Sequence, residues 1–115
     1  MKFVNLTPHT VNVVDADGNN ILSVAPSGNV ARVATQQTVV GNIAGIDIAR
    51  TVFGDVDGLP APQPDTVYIV STLVLQALKD AGISRDDVVA PDTSPQSAVR
   101  NADGQIIGVK QFQVL

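Results

Sequence analysis

The sequence predicts an α+β fold, mainly antiparallel β-sheet built of hairpins with one α-helix at about residues 71–81. Val, Ile and Thr supply 35 of the 115 residues, a β-branched bias that suits a pleated surface. All 11 acidic residues are Asp and none is Glu, so the chain passes over a good helix former in favour of the acid that suits turns and caps. Helical spacing of apolar residues is convincing only once, at Leu73, Val74, Ala77, Leu78 and Ala81. With 115 residues, 44% of them apolar and 16% charged, residues 1–115 form a single folded domain.

Each element follows from its neighbours. Lys2 to Leu6 and Thr10 to Val14 read as extended, broken at Thr7-Pro8, because proline removes a ladder donor and biases its predecessor away from the α region. Asp15 to Asn19 is a dense turn signal, and Ile21 to Val24 returns as a hairpin partner. Pro26-Ser27-Gly28 makes the next corner, and Val30 to Val40 fits one long strand or two short ones. Gly41 to Gly45 reads as a turn into a second hairpin, in which Ile46, Ile48 and Val52 imply one buried face. Asp55 to Pro64, with three prolines in its last five residues, reads as a stiff surface loop.

Val67 to Val70 is a compact apolar strand, after which Ser71 caps the helix and Gly82 stops it. A short Val88-Val89 strand leads into the proline-fenced polar loop Pro91 to Ser97. Val99, the Asn101-Ala102-Asp103-Gly104 turn and Ile106 to Val109 form a closing hairpin, with Phe112 and Val114 expected to continue its last strand.

The composition removes several classes of function. Seven basic residues against 11 acidic ones leave a net charge of -4, without the Lys/Arg stripe that DNA or RNA binding requires. No apolar run approaches the roughly 18 residues of a membrane span, and no signal-peptide pattern follows Met1, so a cytoplasmic protein is expected. The absence of Cys and the single His exclude disulfides, thiolate sites and multi-His metal centres, so neither a metal nor another cofactor is expected. Asp86-Asp87 reads as a solvated rim rather than a cation site.

The residues left for chemistry point to anion binding. Arg32 and Arg100 follow loops of small polar residues, Pro26 to Asn29 with Gly28, and Asp92 to Ser97 with Thr93, Ser94 and Ser97. Backbone amides and hydroxyls beside a guanidinium fork are what a phosphate needs, although a surface pair with an Asp is the plain alternative for each arginine. Around the Thr7-Pro8 kink, either Asn5 and Thr7 tie down the bend and His9 sits half-buried, or Asn5 or His9 lines a pocket wall. Phe53, before Gly54 and expected at a strand end, is the aromatic best placed to stack on a base.

Longer strings carry a resemblance over nearly the whole chain. Asn-Leu-Thr-Pro-His at 5–9, Pro-Ser-Gly-Asn-Val-Ala-Arg-Val at 26–33, Val-Phe-Gly-Asp-Val at 52–56, Tyr-Ile-Val-Ser at 68–71, Pro-Asp-Thr-Ser-Pro at 91–95 and Val-Arg-Asn-Ala-Asp-Gly-Gln-Ile-Ile-Gly-Val at 99–109 together resemble the first family of Thoeris anti-defence proteins of phages and prophages. The resemblance implies a non-enzymatic sponge in the cytoplasm of an infected bacterial host. Such a protein binds cyclic ADP-ribose isomers, and in some members cyclic di- or trinucleotides, without cleaving them. It also implies a homo-oligomer, a dimer or trimer of dimers with ligand pockets at subunit interfaces, in which Arg32 and Arg100 contact the phosphates and Phe53 matches a base platform. Asn101 stands where an acid is expected after Arg100, which bears on ligand preference. Two other readings stay open: a phage structural or assembly accessory protein with no small-molecule ligand, and a small hydrolase built on His9 with Ser94 or Ser97 and an Asp.

Overall fold

The computed structural model describes Met1 to Val114 as ten strands and one helix. In chain order these are β1 (Lys2–Asn5), β2 (Val11–Val14), β3 (Asn20–Val24), β4 (Arg32–Ile43), β5 (Ile46–Asp57), β6 (Thr66–Ile69), α1 (Thr72–Asp80), β7 (Val88–Pro91), β8 (Ala98–Arg100), β9 (Ile106–Val109) and β10 (Phe112–Val114). Antiparallel hairpins form where turn residues demand them. Between β2 and β3 the Asp15 carboxylate accepts from the N–H of Asp17 and Asn19 at 3.0 and 2.9 Å; between β8 and β9 the Asn101 amide oxygen accepts from Asp103 and Gln105 at 3.0 and 3.1 Å. The α+β class with mainly antiparallel sheet is therefore observed, with a single helix where the apolar spacing predicts it.

Two four-stranded sheets and the two-stranded β4–β5 ribbon make up the architecture. The first sheet runs β1-β6-β7-β10 and the second β3-β2-β9-β8. In the first, β1, β6 and β7 are all parallel, and α1 is the crossover between β6 and β7. Hairpin logic alone does not anticipate these pairings. The helix buries Val74, Leu75, Ala77 and Leu78, and the core cluster adds Leu6, Ala31, Tyr68, Val70, Val88 and Ala90. Val33, Val56 and Leu59 pack against it, anchoring the base of the β4–β5 ribbon. The Tyr68 hydroxyl donates to the Ala61 carbonyl at 3.2 Å, pinning the proline-rich loop, and Phe3 and Phe112 stack with centroids 6.1 Å apart.

Five expectations are corrected. Phe112 to Val114 does not continue β9; it forms β10 in the other sheet, antiparallel to β7. The second hairpin turns only at Ala44-Gly45, a two-residue loop with φ of 52° and 83°, because β4 continues through Ile43. The stiff loop begins at Gly58, since β5 runs to Asp57, which places Phe53 inside the strand rather than at its end. The expected buried face of Ile46, Ile48 and Val52 is solvent-exposed, because no other layer of the chain covers it. His9, expected half-buried where the kink is tied down, is exposed.

Candidate functional site

Because β1, β6 and β7 are parallel, their carboxyl ends, Asn5, Ile69 and Pro91, lie at one edge of the first sheet. The segments that leave those ends converge on a cleft of about 710 Å³: Thr7 to Thr10 after β1, Ser71 and Thr72 after β6, and Thr93 after β7. Val11 and Asn12 of β2 with Ile106 to Val109 of β9 form the opposite wall. The crevice outside the carboxyl ends of parallel strands is where open α/β sheets hold ligands, because loops from several strands meet there.

The rim is held from behind. Asn5 is fully buried, and its amide group donates to the carbonyls of His9 at 2.7 Å and Val24 at 2.9 Å. Its oxygen accepts from the Thr7 N–H at 2.9 Å and the Thr7 hydroxyl at 2.7 Å. One side chain thus fixes the Thr7-Pro8 bend and carries exposed His9 to the cleft mouth. Ser71 is the helix N-cap, its hydroxyl oxygen accepting from the Val74 N–H at 3.3 Å. The first turn of α1 contains no acid, so no carboxylate there offsets the partial positive charge of the helix terminus.

Asp92 accepts from the Ser94 N–H at 3.0 Å and from the Gln111 side-chain amide; this amide, with Ser94, holds its carboxyl below the usual range. The Ser94 carbonyl accepts from the N–H of Ser97 and Ala98 at 3.0 and 2.8 Å. Ser97 is buried, and its hydroxyl oxygen accepts from the N–H of Lys110 and Gln111 at 3.0 and 3.2 Å. The polar loop is stiffened by its own bonds, leaving Thr93 on the cleft.

Of the candidate ligand-binding residues, the structure brings His9 and Thr93 into this cleft. Asn5, Asp92 and Ser97 support it from outside its lining, and Ser94 is exposed. Gly28 lies in an exposed corner at φ 97°, and Phe53 is half-buried on the ribbon opposite Thr35. Arg32 is exposed opposite Asp57 in the β4–β5 register. Arg100 is exposed and donates to the Gly104 carbonyl at 2.6 Å, closing the β8–β9 turn. Neither arginine lines the cleft.

Composition alone did not single out Thr10, Ser71, Thr72 and the Ile106–Val109 wall. The usable signal was the apolar strand ending in a serine N-cap, which is how a strand–helix crossover begins.

Two electrostatic features separate the cleft from the rest of the surface. Among its described lining residues none carries a carboxylate, in a chain with 11 Asp, and His9 supplies its one imidazole. The single ion pair among the described residues lies elsewhere: Arg85 grips Asp87 through two bonds of 2.7 and 2.8 Å and also donates to the Pro60 carbonyl. That grip lowers the Asp87 carboxyl and raises the Arg85 guanidinium, so half of the Asp86-Asp87 rim is internally committed. Thr10, Ser71, Thr72 and Thr93 line the cleft together with apolar Ile106, Ile107 and Val109, a set of residues suited to a ligand with an anionic end and an apolar body. No helix among the described residues is long and apolar enough to cross a membrane. Compared with known proteins, the chain matches no family model, no curated protein and no solved structure.

Proposed function

We propose that this protein binds a small phosphorylated nucleotide of the cyclic immune-signal type in the cleft between its two sheets and sequesters it unchanged. The observation that supports this reading most is the carboxylate-free lining at the uncompensated N-terminus of α1. Hydroxyls and a helix terminus serve a phosphate, and the Ile106–Ile107 wall serves a sugar or base. Sequestration is favoured over cleavage because catalysis needs a placed base with a nucleophile or metal, and Ser97 and Asp92 are already held by internal hydrogen bonds. The resemblance to Thoeris anti-defence proteins supplies the ligand class, cyclic ADP-ribose isomers or cyclic dinucleotides, and the setting, an infected bacterial cytoplasm.

A thermal-shift screen with those two classes tests the proposal. A ligand at 100 times its dissociation constant stabilises by about 2.7 kcal/mol. Heating the complex should release intact nucleotide; recovery of a cleaved product would turn the binder into an enzyme. Thr72→Asp is the informative variant: an acid in the first turn suits the helix dipole, so the melting temperature should hold while nucleotide binding disappears. A flat screen would favour the assembly-protein reading, which the exposed β4–β5 ribbon supports.

A further inference from the structure

We infer that Asn12 is the residue with which the cleft reads the base of its ligand, donating from Nδ2 to an acceptor on the base edge and so selecting a purine with a keto group over one with an amino group in the same place. The inference rests on the nucleotide reading of the cleft and adds to it the chemistry of the base.

The position arises where two strands of the second sheet stop pairing. β2 and β9 are parallel and pair at Val13 with Val109. Upstream of that pair no further backbone register joins them among the described residues. The Asn12 side chain makes the link instead, donating to the Ile107 carbonyl at 3.3 Å, and both residues line the cleft. Because faces alternate along a strand, Asn12 and Gly108 fall side by side on the face opposite Val13 and Val109. A Cβ on Gly108 would lie 3.2 Å from Val14 Cγ1 and 3.4 Å from the Asn12 carbonyl oxygen. Glycine there lets β9 approach β2 and puts no side chain next to Asn12.

The neighbours of the carboxamide fix which way it points. A carbonyl only accepts, so the end that meets Ile107 is the nitrogen. The Asn12 side-chain oxygen accepts from the Ser23 hydroxyl at 2.7 Å and from the Asn20 amide at 3.5 Å, and that amide also donates to the Ser23 hydroxyl at 3.0 Å. Ser23 opposes Asn12 in the β2–β3 register and is not part of the cleft lining, so the lock is built from behind. A carboxamide nitrogen carries two N–H groups. Ile107 takes one, and the other has no partner among the described residues.

This arrangement sets a preference that the rest of the lining does not. The Thr and Ser hydroxyls around the cleft both donate and accept, so they suit either kind of base edge. An asparagine with both ends free pairs with the adenine edge through its oxygen and nitrogen together. In Asn12 the oxygen is engaged, and only a donor is offered. That donor meets a keto oxygen favourably and meets an amino group N–H against N–H. A site built around one hydrogen bond disfavours the analogue that cannot make it.

Cyclic inosine monophosphate and cyclic adenosine monophosphate test this, because they share ribose and phosphate and differ in keto against amino. Amide shifts of the labelled full chain, main-chain and side-chain, should show both nucleotides in the cleft, with the inosine form bound about threefold to tenfold more tightly and moving the Asn12 side-chain amide. Ser23→Ala, which unlocks the carboxamide without touching the lining, should keep both bound and bring the ratio towards one. Asn12→Asp weakens both through its charge, but it offers an acceptor and should reverse their order. Equal affinities in the parent, a ratio unchanged in the two variants, or cleft shifts with the Asn12 side chain silent would each overturn the inference and leave the nucleotide reading standing. Silence of the whole cleft with both nucleotides would overturn the two together.

Discussion

The α1-covered sheet and the β4–β5 arm use the same kinds of residue and treat them oppositely. Val70, Val74 and Val88 are at most 2% exposed, whereas Val39, Val40 and Ile43 are 60, 52 and 65% exposed. Both regions are rich in β-branched residues, and both pair their strands. What separates them is the number of layers: the sheet has a helix over it, and the arm has nothing from its own chain. β-branched composition dictates strand, and topology dictates burial. The cleft belongs to the layered half, where three parallel strand ends and a helix terminus are fixed relative to one another.

That contrast predicts large losses from substitutions in the layered half and small ones in the arm. Asn5→Ala should be the most damaging, because it takes the side-chain acceptor from the Thr7 N–H and a donor from each of the His9 and Val24 carbonyls. Urea unfolding should show a loss of about 3 kcal/mol or more. A loss below about 1 kcal/mol would mean that the β1–β2 bend does not depend on this side chain.

Gly58→Ala comes next. Gly58 sits at φ 84° where the arm's second strand has returned to the body, and an added Cβ would lie 2.6 Å from the Val30 carbonyl oxygen. Left-handed strain plus that backbone clash should cost about 2 kcal/mol or more in the same assay.

Asp87→Asn tests the ion pair with Arg85 and should cost about 1 to 2 kcal/mol near neutral pH. The Asp87 carboxyl is lowered in the folded protein, so its contribution is present above the ordinary carboxylate pKa and is lost as pH falls through the lowered folded value. Parent stability should therefore drop on acidification below about pH 4, and the variant should drop less steeply. Parallel acid titrations would count against the pairing.

The smallest effect is expected at the arm tip. Ala44 holds φ 52°, a conformation that costs an L-residue about 1 to 2 kcal/mol, so Ala44→Gly should gain at most about 1 kcal/mol after the extra unfolded-state freedom of glycine. Hydrogen exchange of the arm amides should slow; faster exchange would mean that the turn is not what limits the ribbon.

Much of this fold was readable locally because local chemistry made it. Asp15 and Asn101 cap the turns they signal, and Ser71 starts the helix it heads. The parallel pairing of β1 with β6 joins residues more than sixty positions apart, with no turn between them to announce it. The cleft follows from that pairing, which is why His9 and Thr93 could be picked from their loops while Thr10 and Thr72 could not, and why Ser71 was legible only as a helix cap. Arg32 and Arg100 stood out because bases are rare here, but rarity carries no position: one opposes Asp57 and the other closes a turn.

Amide chemical shifts of the labelled full chain, titrated with a cyclic ADP-ribose isomer and separately with a cyclic dinucleotide, locate the ligand residue by residue. The expected result is that one of the two moves Thr7 to Asn12, Ser71, Thr72, Thr93 and Ile106 to Val109, while Arg32, Arg100 and the arm from Ala34 to Val52 stay still. Shifts centred on Arg32 or Arg100 with the cleft residues silent would contradict the cleft as the binding site, and silence throughout with both nucleotides would contradict the binding function itself.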